Sequence, residues 1–233
     1  MVGAAYTMVG LKHEKNQDSY YIDFDKKSGL FIVADGMGGH AAGDIASKIA
    51  VDLISENLKK YSEKNISDVI DIANGEILNE SKKSSAYEGM GTTLAMCCVD
   101  GNKAYIAHIG DSRVYLIEDN VILQLTRDHS YVQQLVDKGE ISEEEAKKHS
   151  MKNIITKALG VMENIEPDIV KIKLKQNNII LICSDGVSNV LTDEELKKIA
   201  LENNVEDAAQ NLCVKAQESG SNDDLTAIVI TIN

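Results

Sequence analysis

LFIVADGMGG, residues 30–39, sets five strand-forming residues against an aspartate and a cluster of glycines. An apolar run of this length, bounded by turn residues, reads as a buried strand. Asp35 is therefore a carboxylate delivered by a core strand to its end. The pattern returns as IILICSDG at 179–186 and, with the glycine ahead of the acid, as YIAHIGDS at 105–112. One such acid makes a turn; three invite a common explanation.

Working outward, YYIDF (20–24) and LFIVA (30–34) read as strands joined by the turn-rich DKKSG. Residues 41–61 place Ile45, Ile49, Leu53, Ile54 and Leu58 at helical spacing, and a second helix fits 67–83. TLAMCCV, KAYIAHI, SRVYLI and VILQLT, punctuated by tight-turn residues, read as an antiparallel meander. Residues 129–159 return to helical patterning, with Ser142 as an N-cap ahead of acids in the first turn. IVKIKLK, NNIILIC and the closing LTAIVITI are strands. LTDEELKKIA and VEDAAQNLCVKAQ are helices, the first with Thr192 and Glu195 at capping-box spacing. Strands in clusters separated by pairs of helices predict mainly antiparallel sheets with helices layered outside, an α+β arrangement and not a doubly wound parallel one.

The chain has 233 residues, 37 acidic and 24 basic, for a formal charge of −13. That excess argues against nucleic acid or an anionic membrane as partner. A phosphorylated ligand would need a local cation. A single proline, Pro167, and the lack of a Gly/Ser-rich or Pro-rich tract indicate one domain over 1–233. No apolar stretch approaches the roughly 20 residues of a membrane helix, and no basic segment precedes an apolar one at the N-terminus, so the reading is intracellular. Cys97, Cys98, Cys183 and Cys213 lie in apolar segments without a C-x-x-C pair, as core cysteines do.

If Asp35, Asp185 and one acid of SNDDLT (221–226) converge, their repulsion raises their pKa values or demands a multivalent cation. Oxygen ligands without a His/Cys cluster favour Mg²⁺ or Mn²⁺ over zinc. Gly36 and Gly38 then mark where backbone approaches the ions, with the Gly36 carbonyl as a further ligand.

NQD at 16–18, DGMGGH at 35–40, GTT at 91–93, GDSRVYL at 110–116, TRDHSYVQ at 126–133, GEISEEEAKKHSMKN at 139–153, ITKALG at 155–160, SDG at 184–186 and NDDLT at 222–226 resemble, in order, the bacterial metal-dependent protein phosphatases of the PPM, or type 2C, family. The resemblance runs from about residue 10 to the last strand. It implies a four-layer α-β-β-α sandwich and a binuclear Mn²⁺ or Mg²⁺ site that hydrolyses phosphoserine and phosphothreonine in proteins without a phosphoenzyme. By position, Asp35 bridges two ions, Gly36 lends its carbonyl, and Asp185 and Asp223 complete the set. Asp18 and Gln17 stand where acids hold metal-bound waters. Asp128 matches the ligand of a third, weaker ion, Asp224 takes the usual asparagine place, and 129–155 corresponds to a flap beside the cleft. The resemblance also implies a cytoplasmic monomer, phosphorylated proteins as substrates and a cognate serine/threonine kinase.

The chain departs from the family pattern at several points. His13 stands where an arginine commonly grips the substrate phosphate. An imidazole lacks the charged fork, so binding should weaken unless Lys12 or Lys15 compensates, and His13→Arg is expected to strengthen it. Met37 replaces a histidine proposed as general acid in eukaryotic relatives, and Ser150 replaces a flap proline. His40 reads as part of the helix start, His108 as core or surface, His129 and His149 as flap residues, and Arg113 as an ion-pair partner. Three alternatives are open: a catalytically weak module that binds phosphoproteins, an aspartyl-phosphate enzyme using DFDKK (23–27), and a GDSL-type esterase using Ser112. The last two lack, respectively, the threonine of the nucleophile loop and a histidine after His149.

Overall fold

In a computed structural model, which describes residues 1–38 and 42–233, the apolar run at 30–34 is buried on both faces. His40 falls outside the described residues. The elements are β1 (Val2–Met8), β2 (Asp18–Phe24), β3 (Ser28–Met37), α1 (Gly43–Asn57), α2 (Glu63–Ser81), β4 (Gly91–Thr92), β5 (Leu94–Asp100), β6 (Lys103–Ile109), β7 (Arg113–Glu118), β8 (Val121–Gln124), α3 (Tyr131–Asp137), α4 (Glu143–Lys148), β9 (Asp168–Lys173), β10 (Ile179–Cys183), α5 (Asp185–Ser188), α6 (Asp193–Glu202), α7 (Val205–Glu218) and β11 (Leu225–Thr231). One sheet runs β1-β11-β10-β7-β8. The other runs β2-β3-β5-β6-β9, with β4 beside the end of β3. Adjacent strands in both are antiparallel.

The two-residue period of a strand assigns each apolar side chain to a layer. Phe31 and Val33 meet Ile180, Ile182, Ile228 and Ile230 between the sheets. Leu30, Ile32 and Ala34 turn the other way, under Ala46, Ala50, Ile66 and Ile70 of α1 and α2. On the far side, Leu181 and Val229 lie under Leu196 and Leu212 of α6 and α7. The result is the four-layer α-β-β-α sandwich. It also explains why these antiparallel strands read as near-continuous apolar runs: neither face is wet. Each fully buried Leu, Ile, Val or Phe stabilises the stack by about 1.5–3 kcal/mol. Cys97 points between the sheets and Cys98 toward the helices; all four cysteines are buried and free. The capping boxes at Ser142 and Thr192 both form. Among the described residues, no helix is long and apolar enough to cross a membrane.

One strand was not expected from the sequence, and one expectation is corrected. β1 carries VGAAYTM, whose Gly3-Ala4-Ala5 stretch has weak strand preference, and takes its order from pairing along its whole length with β11, from Val2 opposite Thr231 to Met8 opposite Leu225. The expected meander is broken. β5 and β6 lie in one sheet and β7 and β8 in the other, because Gly110-Asp111-Ser112 crosses between them and β7 pairs with β10. Strands apolar on both faces suit either sheet, so pattern alone cannot assign them.

Gly110 makes that crossing possible. Its φ is +97°, and a Cβ there would stand 2.7 Å from Thr93 Cγ2. Gly110→Ala combines left-handed strain with a clash and should destabilise the protein by about 1–3 kcal/mol. Urea unfolding of the variant, read as the midpoint at constant slope, checks this.

Candidate active site

The strand ends that carry the acids are brought together by register. Asp18 on β2 pairs directly with Asp35 on β3. Asp185 opens α5 two residues after β10, and Asp223 and Asp224 precede β11, the partner of β10. The crossing from β6 to β7 brings Asp111 to the same end of the sandwich, and Asp128 follows β8. Asp111 is absent from the expected metal set, although it follows an apolar strand just as Asp35 and Asp185 do. It is 6% exposed and lies in the fields of Asp185 and Asp128.

Crowding and burial push four of these carboxyls up, those of Asp18, Asp35, Asp111 and Asp185. Asp35 is held well above the usual carboxylate range, chiefly by burial and then by Asp18, Asp185, Asp111 and Asp223. Asp185 is raised to about 6 by burial and by Asp223, within hydrogen-bond reach of the Asp35 carboxyl, which partly offsets the rise. Burial lifts Asp18 to about 7, against two hydroxyls that favour its ionised form: Thr226 Oγ1 donates to Oδ2 at 2.6 Å and Ser184 Oγ at 2.8 Å. Asp111 is raised by burial and by Asp185 and Asp128, with Arg113 opposing.

The donor set fits hard divalent cations. Buried Asp18 Oδ1, Asp111 Oδ1 and Asp185 Oδ1 have no hydrogen-bond partner among the described residues. Unpaired buried carboxylate oxygens are costly, and Mn²⁺ or Mg²⁺ would satisfy them. Gly36 and Gly186 leave only backbone at the floor: a Cβ at either would land on the carbonyl of Gly43 or of Asp224.

Other expected residues are spoken for by neighbours. Asp128 receives the forked guanidinium of Arg113, Nε to Oδ1 at 2.9 Å and Nη2 to Oδ2 at 2.6 Å, while Gln124 Nε2 donates to Oδ1 at 3.1 Å. Arg113 is thus the ion-pair partner its motif indicated. His13 Nδ1 lies 2.9 Å from Oδ2 of Asp224 and 3.8 Å from Oδ1 of Asp223. Its pKa is raised, first by the Asp224 hydrogen bond and then by the fields of Asp224, Asp223 and Asp18, with burial opposing. Lys15 is tied to Asp44 and so does not compensate at the cleft.

His108, His129 and Asp168 also bring ligand atoms within 4.8 Å of one another. His129 Nδ1 accepts from the Gly110 N–H at 3.1 Å, which leaves its proton on Nε2, 3.3 Å from Asp168 Oδ2. That is a hydrogen-bonded latch, and a metal at Nε2 would have to strip the ring of its only proton. His108 stacks on His129 at 4.6 Å and donates from Nε2 to the Arg127 carbonyl. His149 accepts from the Met151 N–H, within the expected flap. The two alternative nucleophiles are also accounted for. Asp25, the second acid of DFDKK, closes a turn by accepting from the N–H groups of Lys27 and Ser28, while Asp23, the first, lies within β2 paired with Leu30. Ser112 is fully buried with its hydroxyl 2.7 Å from that of Thr93.

Residues 11–229 match the protein phosphatase 2C family. The serine/threonine phosphatase stp of Listeria innocua is 34% identical over 96% of this chain and 92% of its own length. The solved serine/threonine phosphatase PstP/Ppp of Mycobacterium tuberculosis superposes with a TM-score of 0.92 at 32% identity, covering 100% of this chain and 98% of that one. A PstP catalytic domain solved in complex with two manganese ions gives a TM-score of 0.88 at 32% identity, over 98% and 96% of the two chains.

The raised carboxyls dictate how stability depends on pH. A carboxyl whose folded pKa exceeds its unfolded one binds extra protons in the fold, so it favours folding as pH falls and opposes it as pH rises through the folded value. Asp18 at about 7 and Asp185 at about 6 set the window. The raised pKa of His13 acts in the same direction, being lost as pH rises. His108 and His129, lowered mainly by burial, oppose below their ordinary 6.5. Metal-stripped protein should therefore show a Tm that climbs as pH drops from about 8 to about 6.5, and Mn²⁺ should flatten the slope by displacing those protons. Calorimetry across that range checks it; a flat metal-free Tm would contradict the raised carboxyls.

Proposed function

This chain belongs to the protein phosphatase 2C family, and we propose that its gathered carboxylates hold the ions with which it hydrolyses phosphoserine and phosphothreonine in proteins. It is a metal-dependent protein serine/threonine phosphatase. Asp35, Asp185 and Asp223 would hold two Mn²⁺ or Mg²⁺ ions, with the Gly36 carbonyl as a further ligand and Asp18 acting through water. When bound, such a pair supplies Lewis acidity that readies a water for attack and neutralises charge on the phosphate. The observation that carries this reading is the set of unpaired buried oxygens on Asp18, Asp111 and Asp185 at one end of the sandwich.

The chain's own groups do the rest. Ser184 and Thr226 fix Asp18 Oδ2, so that Oδ1 is the oxygen left to orient water. Ser112 is buried and hydrogen-bonded, which argues against it as a nucleophile; this reading has hydrolysis by an activated water without a phosphoenzyme. Met37 carries no acidic proton, so water or another group protonates the departing serine or threonine oxygen. A third ion at Asp128, facing Asp111, requires that carboxylate to leave the Arg113 fork. The reading includes one catalytic domain over 1–233 with a flap at about 129–155, a cytoplasmic monomer, and a cognate serine/threonine kinase whose products are its substrates.

Phosphate release from a phosphothreonine peptide with Mn²⁺ is the direct test. Asp35→Asn and Asp185→Asn should each lower kcat/KM by about 10²-fold or more. Capture of the peptide with no release of phosphate would instead support the phosphoprotein-binding module, for which the engagement of His13 by Asp224 is the one favourable observation.

A further inference from the structure

The departures at 13 and 224 touch. Asp224 is 3% exposed and accepts from the Gly10 N–H at 2.7 Å and the Gln17 N–H at 2.8 Å, and it lies 2.9 Å from His13 Nδ1. Asp224 thus engages the side chain at 13 in addition to two backbone N–H groups. An arginine there would be drawn to Asp224 as well. The expectation that position 13 grips the substrate phosphate is therefore revised.

A cavity of about 240 Å³ is lined by Asp185 and Asp223 and also by Lys12, Lys152 and Asn153. Among the described residues, neither Lys12 nor Lys152 has a carboxylate oxygen within 4.0 Å. The neighbouring cations differ: Lys15 is held by Asp44 and Lys147 by Glu144. Lys152 sits where the chain turns back to the body. Its N–H donates to the His149 carbonyl at 3.2 Å, and two residues on, the Ile154 carbonyl accepts from Tyr131 N–H at 2.8 Å. It also lines a second cavity of about 360 Å³, between α3–α4 and the start of α6, so it stands at the junction of the two. In a protein carrying −13, two lysines without a carboxylate partner, lining one cavity together with carboxylates, mark a place for an anion.

We propose that Lys152, together with Lys12, receives the phosphoryl group of the substrate in place of residue 13. This rests on the phosphatase reading and names the groups that bind its substrate. Each lysine offers a flexible point charge with three donors, a mobile substitute for one guanidinium fork. Because the contact forms as soon as the phosphate enters, it lowers KM more than it raises kcat. Inorganic phosphate, which presents the same oxygens, should feel the same loss.

The test compares Lys152→Ala, Lys12→Ala, Lys152→Arg and His13→Ala on a phosphothreonine peptide at saturating Mn²⁺, with inorganic phosphate as competitive inhibitor. Binding of inorganic phosphate to the Mn²⁺-loaded protein is also measured by calorimetry. Lys152→Ala should raise KM and the phosphate Ki together by about tenfold, with kcat changed far less, and Lys152→Arg should restore most of both. Unchanged KM, Ki and phosphate affinity in Lys152→Ala would overturn the proposal. So would a fall in kcat alone, or a loss seen in His13→Ala and not in Lys152→Ala. Absence of phosphate release by the unaltered protein would strike at the phosphatase reading instead, while calorimetric phosphate binding would still decide the role of Lys152.

Discussion

Carboxylates gathered at one end of a sandwich repel one another, and the fold holds them there. Two unit charges 4 Å apart cost about 4 kcal/mol at an effective dielectric constant of 20. The restraint comes from strands anchored on both faces. Phe31 and Val33 are gripped between the sheets while Leu30, Ile32 and Ala34 are gripped under helices, so Asp35 cannot retreat without pulling apolar side chains from two layers. The same holds for Asp185, carried behind Ile180 and Ile182 on one face and Leu181 and Cys183 on the other.

That anchoring is also why so much of the site was legible. A near-continuous apolar run followed by an acid and glycine marks a core strand that presents a carboxylate at its tip, and Asp35 and Asp185 carry that mark. Asp111 carries it too, but its role depends on a sheet-to-sheet crossing that hydrophobic pattern does not encode, and the GDSR motif drew attention to Ser112 and Arg113. β1 was illegible for a different reason: Gly3, Ala4 and Ala5 have no pattern of their own, and the strand is specified by its partner β11. The contact between His13 and Asp224, 211 positions apart, and the arrival of Lys152 in one cavity with Asp185 are products of chain return. No local spacing announces them, although the two departures in the motifs were separately visible.

The charge of the protein and the charge of its substrate set a second constraint. Arg113 is the one guanidinium close to the acidic cluster, and both oxygens of Asp128 occupy it. Attraction for a phosphate must then come from ions seated on the carboxylates and from ammonium groups at the rim. The same excess of acid thus serves two ends: it disfavours nonspecific polyanions over the surface and creates the site that concentrates divalent cations at one point.

β1, the strand least visible in sequence, reaches that point through its side chains. Asn16 Nδ2 can only donate, and it does so to Thr7 Oγ1 at 2.8 Å. Thr226 Oγ1 lies 2.8 Å from Thr7 Oγ1 and must spend its own proton on Asp18 Oδ2, which ionised can only accept. The direction of every link follows: amide to Thr7, Thr7 to Thr226, Thr226 to Asp18. With Ser184 also donating to Oδ2, one oxygen of Asp18 is saturated and the other is left open. The threonine of a weakly patterned edge strand thus completes a chain of hydroxyls that decides which oxygen of Asp18 is saturated and which is left open.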